Sequence, residues 1–165
     1  MQALDQEARL SLFEKNRKPK RKDFEPIEKM DRLHTKKLKT IIKNIGWPTI
    51  PKVGKMASLS AWLLAQHADH DIKFQKHCLK LMNSSKKNIE KFEIAYLEDR
   101  ILTKETGEQL YGTQIKGNEL FPIKDRVNLR KRREEFELAP LSDYLKLFKN
   151  KAGKKRGVSI IEKYY

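Results

Sequence analysis

The stretch from Ala57 to Ala68 limits what this chain can fold into more than any other part of it. Leu59, Ala61, Trp62, Leu63, Leu64 and Ala65 cover every side of a helix. A helix that is apolar all round either crosses a membrane or lies at the centre of a domain. Spanning a bilayer takes about 20 predominantly apolar residues, and the run from Leu59 to Ala65 is far shorter and is broken by Ser60. The pattern therefore predicts a buried central helix over about 57–68, around which the other elements must pack.

Helical periodicity supplies those elements. Met30, Leu33, Leu38, Ile41, Ile42 and Ile45 recur at three-and-four spacing, predicting a helix that starts near Pro26 and stops at Gly46-Trp47-Pro48. Pro48 to Gly54 reads as a connecting loop. Phe74, Cys78, Leu79 and Met82 mark a helix over 71–82, and Ile89, Phe92 and Tyr96 a further one that Asn88 can cap. After Arg100, Thr106-Gly107 and Gly117-Asn118 are turn signals, predicting a small antiparallel meander of strands near 100–104, 109–115 and 119–123. Asp125 or Asn128 opens a helix to Phe136, and Ser142 a last short one to about Lys149. A helix over 2–17 would be ended by the proline and like charges of Arg17 to Lys22. The expected fold is α+β and predominantly α-helical: a helical domain around the 57–68 helix with a small antiparallel β-meander at about 100–123. Its organisation reads as a basic N-terminal helix and linker over 1–22, one globular domain over 23–145, and a basic tail over 146–165.

The formal net charge of +15 is unevenly spread. Residues 1–22 hold seven basic and three acidic side chains, and residues 146–165 seven and one. Two-thirds of the excess thus sits at the ends, where it predicts nucleic-acid contact through basic tails. Lysine outnumbers arginine 27 to 10, which favours point-charge contact over base reading. The single cysteine, Cys78, excludes an internal disulfide framework. As numbered, the chain opens with no export signal and reads as cytoplasmic, with secretion open if residue 1 is not the natural start.

Function is most readable where polar residues fall on faces assigned to the core. Three places qualify. Gln66-His67-Ala68-Asp69-His70-Asp71 follows the all-apolar helix directly, so its side chains are delivered to the interior or to a cleft floor. Gln75 is within reach of the apolar face of its helix. Asp99-Arg100 continues the Ile89, Phe92, Tyr96 stripe. His67 and His70 at i, i+3 beside Asp71 could share an ion, but no H-E-x-x-H pattern accompanies them, and no metal or cofactor is assigned. Cys78 lies on an apolar stripe, as a small core residue does. No G-x-S-x-G, P-loop or G-x-G-x-x-G occurs.

These positions also carry a resemblance. Gly46-Trp47-Pro48-Thr49, Val53-Gly54, Ala61-Trp62-Leu63, Gln66-His67-Ala68-Asp69, Phe74-Gln75, Tyr96-Leu97 with Asp99-Arg100, Gln109 to Gln114, and Pro122-Ile123 with Asp125 are similar to the pattern of a bacterial family of unknown function. The resemblance covers about residues 4–145 and implies no reaction or cofactor. It includes Gln66, His67, Asp69, Phe74, Gln75, Asp99, Arg100, Gly112, Thr113 and Gln114, and leaves the lysine-rich ends outside.

Three functional readings stand. In the first, a hydrolase or transferase cleft acts on an anionic or phosphate-bearing small molecule. His67 is its general acid or base, oriented by Asp69 or Asp71, and Arg100 holds the anion. Gln66, Gln75, Asp99, Tyr111, Thr113 and Gln114 complete substrate binding. In the second, the chain is a non-catalytic nucleic-acid binder. In the third, it is a structural or interaction protein whose polar cluster fixes helix packing. The first reading requires His67, Gln75 and Arg100 to come together in space.

Overall fold

The computed structural model describes residues 20–116 and 119–152. The expected helix over 2–17 and most of the C-terminal tail lie outside these. Helix α1 runs from Arg21 to Ile45 and turns Ile27, His34, Thr35, Leu38 and Ile42 inward. It starts five residues before the predicted Pro26, because Asp23 caps it: an Asp23 carboxylate oxygen accepts from Lys20 N–H at 2.7 Å. Pro26 sits inside the helix. At the other end Gly46 has φ +70°, a conformation that excludes most side chains, and its N–H closes on Ile42 O at 2.9 Å. Within the stretch expected to be loop, Ile50–Val53 forms a single helical turn, α2.

Helix α3, Lys55–Gln66, is the predicted centre. Ser58, Leu59 and every residue from Ala61 to Gln66 are buried, and α3 packs against α1, α2, α4 and α5. Helix α4, Ile72–Ser84, buries Phe74, Gln75, Cys78 and Met82 and packs against α3 and the helix that follows it. Burial pushes the Cys78 thiol up to about 12, so it stays a neutral core group. Helix α5, Lys91–Thr106, carries Phe92 and Tyr96, whose rings stand edge-on to Trp62 at 5.5 and 6.0 Å. Trp62 Nε1–H donates to Glu93 O at 2.8 Å.

The β content is smaller than a meander. Strands β1, Ile115–Lys116, and β2, Glu119–Leu120, pair antiparallel, with Ile115 opposite Leu120, and Gln109 makes an isolated parallel bridge to Ile123. Residues 100–104 are helix, not strand. Ile101 is buried, so the helical stripe continues, and Thr106-Gly107 ends α5 rather than turning a hairpin: Gly107 N–H bonds Thr103 O at 3.1 Å. Two further helices close the domain, α6 at Leu129–Glu135 and α7 at Leu141–Ala152. Asn128, not Asp125, is the α6 cap residue, and α7 begins one residue before the expected Ser142.

One carboxyl group stands out in this core. Glu93 is 1% exposed, and neither of its side-chain oxygens has a hydrogen-bond partner among the described residues. Burial, aided by the charge of Glu90 and opposed by Lys55, pushes its pKa from 4.5 up to about 8. The folded state therefore holds a proton that the unfolded chain releases, so stability falls as pH rises from about 4.5 to about 8 and levels off above it. Glu93→Gln keeps the shape and removes the titration. Its melting temperature should exceed the parent's by about 4 °C or more at pH 9 and match it at pH 4. Parallel pH–melting curves for the two proteins check this; curves of identical slope would contradict it.

Candidate functional site

Three consecutive charged residues of α5 organise the polar side of the molecule. Successive helical residues point about 100° apart, so each reaches a different neighbour. Asp99 is fully buried. Its Oδ1 accepts from Leu110 N–H at 2.6 Å and Tyr111 N–H at 3.0 Å; its Oδ2 accepts from the Thr113 N–H and hydroxyl, both at 2.9 Å. Glu98 accepts from the Tyr111 hydroxyl at 2.8 Å, and burial pushes the Glu98 carboxyl above its usual range. Arg100 turns the other way, to Asp69.

Gln109 pairs through its own backbone with Pro122 and Lys124, but residues 110–113 have no backbone partner among the described residues, so side chains supply the pairing. Asp99 takes three N–H groups. Gln109, 0% exposed, accepts from Gln114 N–H at 2.8 Å and donates to Gln114 O and Phe121 O at 3.1 and 2.8 Å. Arg132 donates to Leu110 O at 3.0 Å, buried Arg133 to Tyr111 O, and the Tyr144 hydroxyl to Thr113 O at 2.9 Å. Gly112 has φ +73°, and a Cβ there would stand 3.1 Å from Ile123 and Leu141 side-chain carbons. The lone glycine of this stretch is thus demanded by both backbone and packing.

On the outer side, Arg100 grips Asp69 with two bonds, one from Nε at 2.8 Å and one from Nη2. Lys104 donates to Asp69 O. Gln75, fully buried, donates to Ala65 O and Gln66 O at 3.1 Å and to Asp69 Oδ1 at 3.3 Å. Burial opposes ionisation of Asp69, yet Arg100 and Gln75 outweigh it and hold the carboxyl below the usual range. Above the 67–71 turn opens a cleft of about 300 Å³ lined by Asp69, Arg100, Thr103, Lys104, Gln114 and Phe121.

The ten residues singled out from sequence therefore separate into groups. Gln75 and Arg100 converge on Asp69, and Gln114 shares their cleft. Asp99, Tyr111 and Thr113 form the buried clamp. Gln66 faces Trp62 and Leu97: with its amide oxygen toward them it accepts from Trp62 Nε1–H at 3.1 Å and Leu97 N–H at 2.8 Å. His67 is half-buried at the end of α3 and is not among the cleft-lining residues. Asp71 caps α4 by accepting from Phe74 N–H at 3.0 Å and is paired with Lys39 at 2.6 Å; the Lys39 bond is the main cause holding its carboxyl low. Thr103, Lys104 and Phe121 were not picked out, nor were Gln109, Arg132 and Arg133. Thr103 and Lys104 follow Arg100 at i+3 and i+4, a spacing that would have flagged them had 100–104 been read as helix. Among the described residues no group of three or more His, Cys, Asp or Glu could hold a metal ion, and no helix is long and apolar enough to cross a membrane.

Fold and site together define a predominantly helical α+β domain with a side-chain-clamped segment and a charged cleft. A model of a family of unknown function, DUF6624, matches residues 1–157, and the chain belongs to that family. The match takes in the basic N-terminal segment and part of the basic tail, so those ends are not additions foreign to the family pattern. No curated protein and no solved structure matches the chain.

The clamp can be tested directly. Asp99→Asn turns an amide NH2 toward N–H donors, and should cost about 3 kcal/mol, lowering the melting temperature by about 10 °C. Amide hydrogen exchange at Leu110, Tyr111 and Thr113 should accelerate selectively. A melting temperature within about 2 °C of the parent's would mean the segment does not depend on Asp99.

Proposed function

We propose that this cleft binds a small anionic molecule. The observation carrying the reading is its charge balance: Arg100 and Lys104 face one carboxylate, Asp69, leaving one positive charge unmatched in the lining. Arg100 uses Nε and Nη2 on Asp69, while its Nη1 makes no hydrogen bond among the described residues. An incoming phosphate or carboxylate would sit against that free nitrogen and the Lys104 ammonium, with Gln114 and Thr103 setting its orientation. Phe121, half-buried, offers an apolar wall for the rest of the ligand. A carboxylate held low is a weak base, so Asp69 suits positioning better than proton transfer. His67 and Asp71 lie outside the lining, and this reading gives them no chemical step.

The occupied fork of Arg100 favours a second, structural share for that residue, in line with the packing-network alternative. Thermal melts with inorganic phosphate and with a nucleoside monophosphate distinguish the two. Either anion at millimolar concentration should raise the parent's melting temperature. Lys104→Ala should weaken the apparent affinity about tenfold while changing the ligand-free melting temperature little. Arg100→Lys should lower both, since one ammonium cannot reproduce two bonds to Asp69. If no anion shifts the parent, or if Lys104→Ala shifts as the parent does, the cleft is not an anion site.

A further inference from the structure

A second charged surface lies on α1. Lys22, Lys29, Lys36 and Lys43 follow one another at intervals of seven residues, and Arg32 falls between them at i+3 from Lys29. A seven-residue interval drifts only about 20° per step on an α-helix, so the five cations form one stripe. All five are exposed, and they lie opposite the buried Ile27, His34, Leu38 and Ile42. At about 1.5 Å per residue the stripe is about 31 Å long. The acids of the helix, Asp23, Glu25, Glu28 and Asp31, all precede Arg32, and from Arg32 to Ile45 there is none. Of the other two cations in the acid-free half, Lys39 is spent on Asp71 at 2.6 Å, and Lys37 is exposed about 100° round the helix from Lys36. Among the described residues none of the five side chains makes an ion pair or hydrogen bond.

We infer that this stripe is a docking surface for the phosphodiester backbone of duplex nucleic acid, independent of the cleft and not confined to the chain's ends. A straight row of unpaired ammonium groups matches a polyanion that presents a charge about every 1.7 Å of its axis in any register. Lysines dominate it, and a lysine contacts phosphate as a point charge without reading bases, so binding is sequence-independent. Insertion into an anionic membrane would need a free apolar face beside the basic one. The apolar face of α1 is already packed on the core, leaving Leu33, 53% exposed, as the main apolar side chain flanking the acid-free half.

The test measures binding of the full chain to a duplex DNA of about 20 bp across a salt series. Arg32→Gln/Lys36→Gln/Lys43→Gln is compared with Lys80→Gln/Lys86→Gln/Lys87→Gln, which removes the same charge from exposed positions elsewhere. The parent should bind at low salt with a steep negative slope of log affinity against log salt. The stripe variant should lose about 2.7 of that slope, at about 0.9 for each lost contact, and at least tenfold in affinity at low salt. The control should stay within about twofold, and both variants should melt with the parent because every substituted residue is exposed. Equal losses in both variants would reduce the effect to net charge and overturn the proposal. So would an unchanged slope in the stripe variant, which would assign binding to the chain's ends. Absence of DNA binding, with stripe-dependent binding to vesicles of about 30% phosphatidylserine, would also overturn it.

Discussion

Asp99 is the group on which the polar half of this domain depends. A buried carboxylate is tolerable only when its lone pairs are filled, and here the unpaired N–H groups of an irregular segment fill them. The exchange is mutual. Leu110, Tyr111 and Thr113 have no strand partner for these N–H groups, and without Asp99 they would be buried donors with nothing to donate to. The carbonyls of the same residues are answered from the opposite side by Arg132, Arg133 and Tyr144. A stretch with little secondary structure of its own is thereby held from both sides, and α6 and α7 are drawn onto α5 through it. Arg133 also lies over the Tyr144 ring, 5.5 Å from its centroid, and Tyr144 reaches Tyr96 edge-on at 6.5 Å. The clamp therefore joins the aromatic cluster around Trp62 without a break.

What was legible in the sequence follows from which forces act locally. The 57–68 helix announced itself because apolarity on every side has few physical outcomes, and α1 and α4 because their stripes repeat over several turns. The boundary at 100–104 was not legible. Ile101 and Leu102 before Thr106-Gly107 fit a strand before a turn as well as a helix before its cap, and only the burial of Ile101 against distant elements decides between them. The 109–115 segment failed for a related reason. Its alternating composition looks like a strand, yet the backbone groups of Leu110, Tyr111 and Thr113 bond to side chains 11 to 31 residues away in sequence, which no local pattern encodes.

The candidate site shows the same division. Asp99, Arg100 and Gln75 were visible as polar residues on apolar faces, because desolvating them demands a partner wherever that partner lies. The identity of each partner was not visible. Arg100 meets Asp69 across 31 residues, while Asp99, its neighbour, turns toward the clamp. Gln109 stood in the quoted motif, but its role was not visible because a glutamine that satisfies three backbone groups looks, in sequence, like any exposed glutamine. Arg132 and Arg133 were hidden in a run of basic residues whose default reading is a solvated face, although Arg133 is 3% exposed.

Over the last turns of α5, from Glu98 to Lys104, the capacity left over grows outward from the core. Asp99, at 0% exposure, has both oxygens occupied by the 110–113 segment. Glu98, partly buried, accepts from one hydroxyl. Arg100, at 30% side-chain exposure, commits two of its three nitrogens to Asp69. Lys104, one turn further on, is exposed and gives a single bond to a carbonyl. Burial drives this pairing because an unpaired buried donor or acceptor costs about 1–3 kcal/mol, a cost that Glu93, earlier on the same helix, bears in full, and the pressure fades as water becomes available. The cleft opens where the pressure has faded but the frame remains, since Asp69, Gln75 and the clamp still fix the groups around it. A site with spare charge on a rigid support is where a ligand could be recognised with little reorganisation, and the inner residues make it so by having no freedom left.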